Sequence, residues 1–136
     1  MPEEQKVNQE LFMRATILQQ QSQEIEQNLQ IIDNQISEMD AFSKNLSDLS
    51  DSNEKEILAS IGKGVYIKAN LENKDLFVDV GAGTIVKKTP GETREIIDSQ
   101  IPKLREARIQ LTAQLESFHA QFHELVQEIE KEKSEK

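Results

Sequence analysis

The chain has 136 residues, of which 30% are charged, a formal net charge of −9, and neither cysteine nor tryptophan. That acidity disfavours nucleic-acid binding, which draws its affinity from cations on phosphates, and the missing cysteines exclude disulfides, zinc thiolates and thiol nucleophiles. They also fit a reducing compartment, no apolar run reaches the length of a membrane span, and nothing before Pro2 reads as a signal peptide.

The length allows one domain, 1–136. Aromatic residues are too few, at 4%, to furnish a large globular core. From Glu3 to Ser60 there is neither glycine nor proline, and Pro2 suits the first position of a helix. Leu11, Leu18, Ile25, Ile32, Met39 and Leu46 recur at every seventh position. Ala15, Ser22, Leu29 and Ile36 follow the first four of them by one turn. Together they form the seam of a heptad repeat, the first series at d and the second at a. A helix over 3–53 is expected. At about 1.5 Å per residue, its first 45 or so residues would span roughly 65–70 Å. It should fail near Ser47–Asn53, where Ser, Asp and Asn side chains compete for backbone hydrogen bonds.

The stretch 56–89 reads differently. Ile61-Gly62-Lys63-Gly64-Val65-Tyr66-Ile67-Lys68 recurs as Val80-Gly81-Ala82-Gly83-Thr84-Ile85-Val86-Lys87, and Ile57, Leu58 and Ala59 match Leu76, Phe77 and Val78. Val65, Ile67, Ala69 and Leu71 alternate with Tyr66, Lys68 and Asn70, the period of a half-buried strand. Leu76, Val78 and Val80 alternate with Phe77 and Asp79 in the same way. Gly62, Gly64, Gly81 and Gly83 supply the positive φ of tight turns. Two successive β-hairpins are expected, joined by the polar Glu72-Asn73-Lys74-Asp75. Leu58, Tyr66, Phe77 and Ile85 put apolar groups on the opposite face as well. Isolated hairpins are marginal in water, and open edges with two apolar faces invite pairing with other chains. The hairpins therefore either cap a helical hairpin or serve assembly, and their two apolar faces favour assembly.

Thr89-Pro90-Gly91-Glu92 has the pattern of a capping box and starts a second helix, 90–130. Its seam runs Ile97, Ile101, Leu104, Arg108, Leu111, Leu115, Phe118, Phe122, Leu125, Ile129. Pro102 should kink this helix or restart it, with Asp98 or Ser99 as a second cap. The Lys, Glu and Ser residues of 131–136 read as a solvated, frayed tail.

Two helices of similar length around a compact insert should fold back as an antiparallel coiled coil, an α+β fold. Pairing d against a sets Leu11 against Ile129, Ala15 against Leu125, Leu18 against Phe122, Ser22 against Phe118, Ile25 against Leu115 and Leu29 against Leu111. Large Phe118 opposite small Ser22 is the complementarity a packed seam needs. Arg108 would lie beside Ile32, its stem packed and its head in water.

Little of this carries chemistry. His119 and His123 are one turn apart, but a zinc site needs three or four ligands and no third stands out beyond Glu116. Gly62-Lys63-Gly64 lacks the Gly-Lys-Ser/Thr ending and following helix of a phosphate loop. The carboxylates are scattered along helix faces, and no Ser–His nucleophile motif is present. No catalytic residue, metal site or cofactor is indicated, and no enzyme is expected. The ends of the coil are more informative. Val7, Leu11, Phe12 and Met13 cluster where the first helix begins, and Phe118, Phe122, Leu125, Val126 and Ile129 where the second ends. They either close the last layers of the coil or form an interaction patch suited to many shapes.

A long helix, a doubled hairpin with Gly-x-Gly turns and a second long helix resemble the alpha-class subunit of prefoldin, most like the archaeal form. The likeness covers nearly the whole chain. Its specific part is Ala59-Ser60-Ile61-Gly62-Lys63-Gly64-Val65-Tyr66-Ile67-Lys68-Ala69 with Val80-Gly81-Ala82-Gly83-Thr84-Ile85-Val86-Lys87-Lys88. The resemblance implies an ATP-independent, cytoplasmic chaperone subunit. It implies a hetero-hexamer of two alpha and four beta subunits whose hairpins join intersubunit β-barrels. It also implies that coiled-coil tips hold non-native proteins and deliver them to a group II chaperonin, with neither nucleic acid nor membrane as partner. Leu58, Val65, Tyr66, Ile67, Leu76, Phe77, Val78, Val80, Ile85 and Val86 would then serve subunit assembly, around turns at Gly62, Gly64, Gly81 and Gly83. Val7, Leu11, Phe12, Met13, Phe118, Phe122, Leu125, Val126 and Ile129 would contact clients, a transfer resting on position alone. The rival readings are a structural coiled-coil tether and a prefoldin-like subunit of another complex.

Overall fold

The computed structural model describes residues 2–134, with side chains over 6–132. The element order is α1 (Pro2–Asp51), β1 (Glu56–Gly62), β2 (Val65–Asn70), β3 (Leu76–Asp79), β4 (Ile85–Lys88) and α2 (Pro90–Ser134). The chain divides into two compact units, one of Met1–Ile36 with Lys103–Lys136 and one of Ser37–Pro102.

The first unit is purely helical. Its buried positions are the expected seam: Leu11, Ala15, Ser22, Ile25 and Ile129 are buried, and Leu18, Leu29, Leu111, Leu115, Phe118, Phe122 and Leu125 half-buried. The heptad repeat thus places one narrow apolar stripe of each helix against the other. Cross-helix contacts confirm the antiparallel sense, with Glu26 Oε1 lying 3.8 Å from His119 Nε2 and Asp33 accepting a hydrogen bond from Arg108 Nε at 2.5 Å. Arg108, expected beside Ile32, therefore answers the adjacent carboxylate. Its guanidinium sits half-exposed, where a planar fork finds an acidic partner. Ser22 lines a cleft with Phe122 and His119.

The second unit carries the hairpins. Its helical ends meet through Ser43 Oγ, which donates to Asp98 Oδ1 at 2.7 Å, and Arg94, which reaches Ser47 Oγ at 3.3 Å. Buried Leu46 and Ile101 continue the seam here. Helix α1 ends inside the expected Ser47–Asn53 window. The last carbonyls of a helix have no partner within it, and the Lys74 ammonium supplies one, donating to Ser50 O at 3.1 Å and also to Ser52 O. Helix α2 opens as its sequence dictates. Thr89 Oγ1 accepts from the Glu92 amide at 3.1 Å, and Pro90 stands at the first helical position.

Helix α2 runs through Pro102 without stopping, so of the two outcomes expected there it does not restart. Asp98 spends its carboxylate on Ser43 and Arg94, and the Ser99 hydroxyl donates back to Ile96 O, so neither caps a second helix. The polar segment after Glu130, expected to fray, is helical as far as Ser134, and residues 135 and 136 lie outside the described residues.

Candidate functional site: the hairpin faces and the helical tip

Each hairpin is a separate two-stranded antiparallel sheet. In the first, Ile57 opposes Ala69, Ala59 opposes Ile67 and Ser60 opposes Tyr66, after which a bulge skips Ile61 and Gly62 meets Val65. The two-residue turn is Lys63-Gly64, with φ of 48° and 77°. Positive φ at both central residues is the turn whose twist matches a hairpin. In the second, Leu76 opposes Lys88, Phe77 opposes Lys87 and Val78 opposes Val86. Its loop closes through Val80 N to Thr84 O and Thr84 N to Gly81 O, both 3.0 Å. Asp79 Oδ1 takes the Gly81 amide at 2.9 Å, an Asx turn that steers the strand into the loop. The link between hairpins is tied at both ends: Leu71 N donates to Lys55 O at 2.6 Å, and Asp75 pairs with Lys87 at 3.1 Å.

The expected assembly residues fall into two groups. Leu76, Val78 and Val86 are half-buried on one face of the second hairpin, with Lys88 completing that face. Leu58, Val65, Tyr66, Ile67, Phe77, Val80 and Ile85 are all exposed, Phe77 the most at 72%. Val65 and Ile67 were expected on a half-buried face and are not. Among the described residues none covers the first hairpin, and only Ala59 and Ala69 of its strands are half-buried. Ile57 and Ile61 belong with the exposed set. The repeat marks both positions, but Ile61, lifted out of register by the bulge, cannot be read from alternation. The hairpins thus carry apolar groups on both faces, beside edges that no described strand pairs.

The tip residues also divide. Val7, Phe12 and Met13 are exposed, Phe118, Phe122, Leu125 and Val126 half-buried, and Leu11 and Ile129 buried at 7% and 8%. Seam residues close the last layers of the coil, while Val7, Phe12 and Met13 face outwards and Val126, also off the seam, is half-buried. Ile17, one turn beyond Met13 and 48% exposed, is a further apolar group that seam counting passes over because it lies on the outer face. Among the described residues no cluster of three or more His, Asp or Glu is arranged for a metal. His123 Nε2 lies 3.2 Å from Gln127, and no described helix is long and apolar enough to cross a membrane.

Paired long helices bearing a doubled, open-edged hairpin define a class, the hairpin-bearing coiled-coil subunits. Residues 18–135 match the family described as prefoldin subunit, and the chain belongs to that family, whose members are chaperone components. Archaeal alpha subunits are among its relatives. It is 32% identical over 117 residues to prefoldin subunit alpha of Methanobrevibacter smithii, spanning 85% of this chain and 80% of that protein. It is 37% identical over 83 residues to prefoldin subunit alpha 2 of Thermococcus kodakarensis, spanning 60% and 58%. In structure it resembles a chain of the filamentous PFD of Methanocaldococcus jannaschii, with a TM-score of 0.72 and 19% identity over 85% of this chain and 98% of that one.

Proposed function

We propose that the chain is an ATP-independent chaperone subunit that captures non-native proteins at the tip of its helical pair and delivers them to a group II chaperonin. Its hairpins join those of a smaller beta-type partner in barrels, two copies of this chain with four of the partner, in the cytoplasm. The observation that carries the assembly half is the pair of apolar hairpin faces that no described residue covers, at Leu58, Tyr66, Ile67, Phe77 and Ile85. Strand-edge pairing would bury them together with their free backbone groups. Capture rests on Val7, Phe12 and Met13, which face outward at the end of the coil. Several such tips in one assembly bind weakly each but strongly together, and the reaction needs no catalytic group.

The test is light scattering from a chemically denatured client diluted into the chain assembled with its partner. The double variant Phe12→Ser, Met13→Ser, still assembled, should lose most of the suppression seen with the unaltered complex. Equal suppression by both would move client binding to another part of the assembly. No suppression by either would leave the tether, or a subunit of a different complex, as the better description.

A further inference from the structure

Beside the seam of the helical unit lies an open cleft of about 430 Å³ that neither helix fills. Leu18 and Leu125 form its floor, exposed Ile17 one wall, and Arg14, Glu124 and Glu128 its rim. The volume suits a large side chain with its neighbours. Neither Glu124 nor Glu128 forms an ion pair with a described residue, and the cleft has a single cation of its own. An apolar floor beneath two uncommitted carboxylates is complementary to one kind of polypeptide, a large apolar residue with a Lys or Arg beside it. The chain's net charge of −9 draws such a segment in and repels a second copy of itself.

We propose that this cleft is a docking subsite for basic–apolar segments of non-native polypeptide. The proposal rests on the tip-capture reading and adds to it a chemical preference and a place. The apolar side chain enters over Leu18 and Leu125, and the flanking cation meets Glu124 and Glu128. Ile17, outside the seam, widens the apolar contact. The preference is electrostatic and so weakens with salt.

The experiment measures fluorescence anisotropy of two labelled peptides against the complete, partner-assembled complex. One peptide alternates Leu and Phe with Lys and Arg; in the other Glu replaces every cation. At low salt the basic peptide is expected to bind at least about tenfold tighter, a gap that E124K together with E128K closes or inverts. The charge-neutral pair E124Q and E128Q should fall between, and circular dichroism should show the helices intact in each. Equal binding of the two peptides to the unaltered complex, or an unchanged preference in E124K/E128K, overturns the subsite. A change of oligomeric state in those variants, seen by sedimentation, would assign the cleft to contacts between chains and overturn it equally. The client assay keeps the two proposals apart. Suppression lost in Phe12→Ser, Met13→Ser but a peptide preference untouched by E124K/E128K refutes the subsite alone, while loss of neither refutes capture at the tip as well.

Discussion

The first hairpin turn contains two backbone conformations with opposite consequences for substitution. Lys63 has φ of 48°, a left-handed conformation that costs an L-residue about 1–2 kcal/mol. Glycine there removes the cost but gives back about 0.4–1 kcal/mol through the freer unfolded chain. Lys63→Gly should therefore stabilise the hairpin by about 0.5–1 kcal/mol, and Lys63→Asn by less, since Asn tolerates this region only in part. Gly62 has φ of 122°, and a Cβ built there meets nothing within 4 Å. The penalty for Gly62→Ala is thus purely conformational, about 1–3 kcal/mol for so sparsely populated a region. Less the same unfolded-state gain, the net loss is about 1–2 kcal/mol. A global melting curve would mainly report the helices, so the assay is amide hydrogen exchange of residues 56–70 followed by mass spectrometry. Lys63→Gly should slow exchange about 2–5-fold and Gly62→Ala should speed it about 5–30-fold. If Lys63→Gly speeds exchange, or Gly62→Ala leaves it unchanged, turn conformation does not govern the hairpin and the reasoning fails.

Thr89→Ala removes the acceptor of the Glu92 amide and should cost about 1 kcal/mol, seen as a fall of about 3 °C in thermal unfolding, whereas Thr89→Ser should be nearly neutral. Pro102→Ala restores a donor to the middle of a continuous helix and should raise stability by up to about 3 kcal/mol, read from the midpoint of urea unfolding; no gain would show that the helix accommodates the ring without cost. Lys74→Met keeps the stem but removes the ammonium that closes the end of α1, and should cost about 1–2 kcal/mol, with faster amide exchange confined to residues 50–55 and 71–75.

Periodicity and turn chemistry are local, so a single sequence displays them. The heptads from Leu11 to Leu46 and from Ile97 to Ile129 specified two helices and their facing stripes, because burial at every seventh residue has one geometric solution. The doubled Gly-x-Gly pattern specified two hairpins, since only glycine takes φ of 107° or 122° without strain. Thr89-Pro90-Gly91-Glu92 announced the start of α2 for the same local reason. What remained open depends on residues far apart in the chain. Lys74 closes α1 from a link more than twenty positions away, and no pattern near Ser50 foretells it. Asp98 looked like a cap because Pro102 follows, yet Ser43 on the other helix claims its carboxylate and the helix continues. Arg108 finds Asp33, a partner that no pattern names, since the final partner of a flexible cation is set by which carboxylate the fold brings within reach. Exposure was the least legible property of all. Val65 and Phe77 have the composition of a core, but a strand's composition does not say whether its cover lies in the same chain. Among the described residues no such cover is found, and the open faces and the cleft above Leu18 are decided by tertiary structure alone.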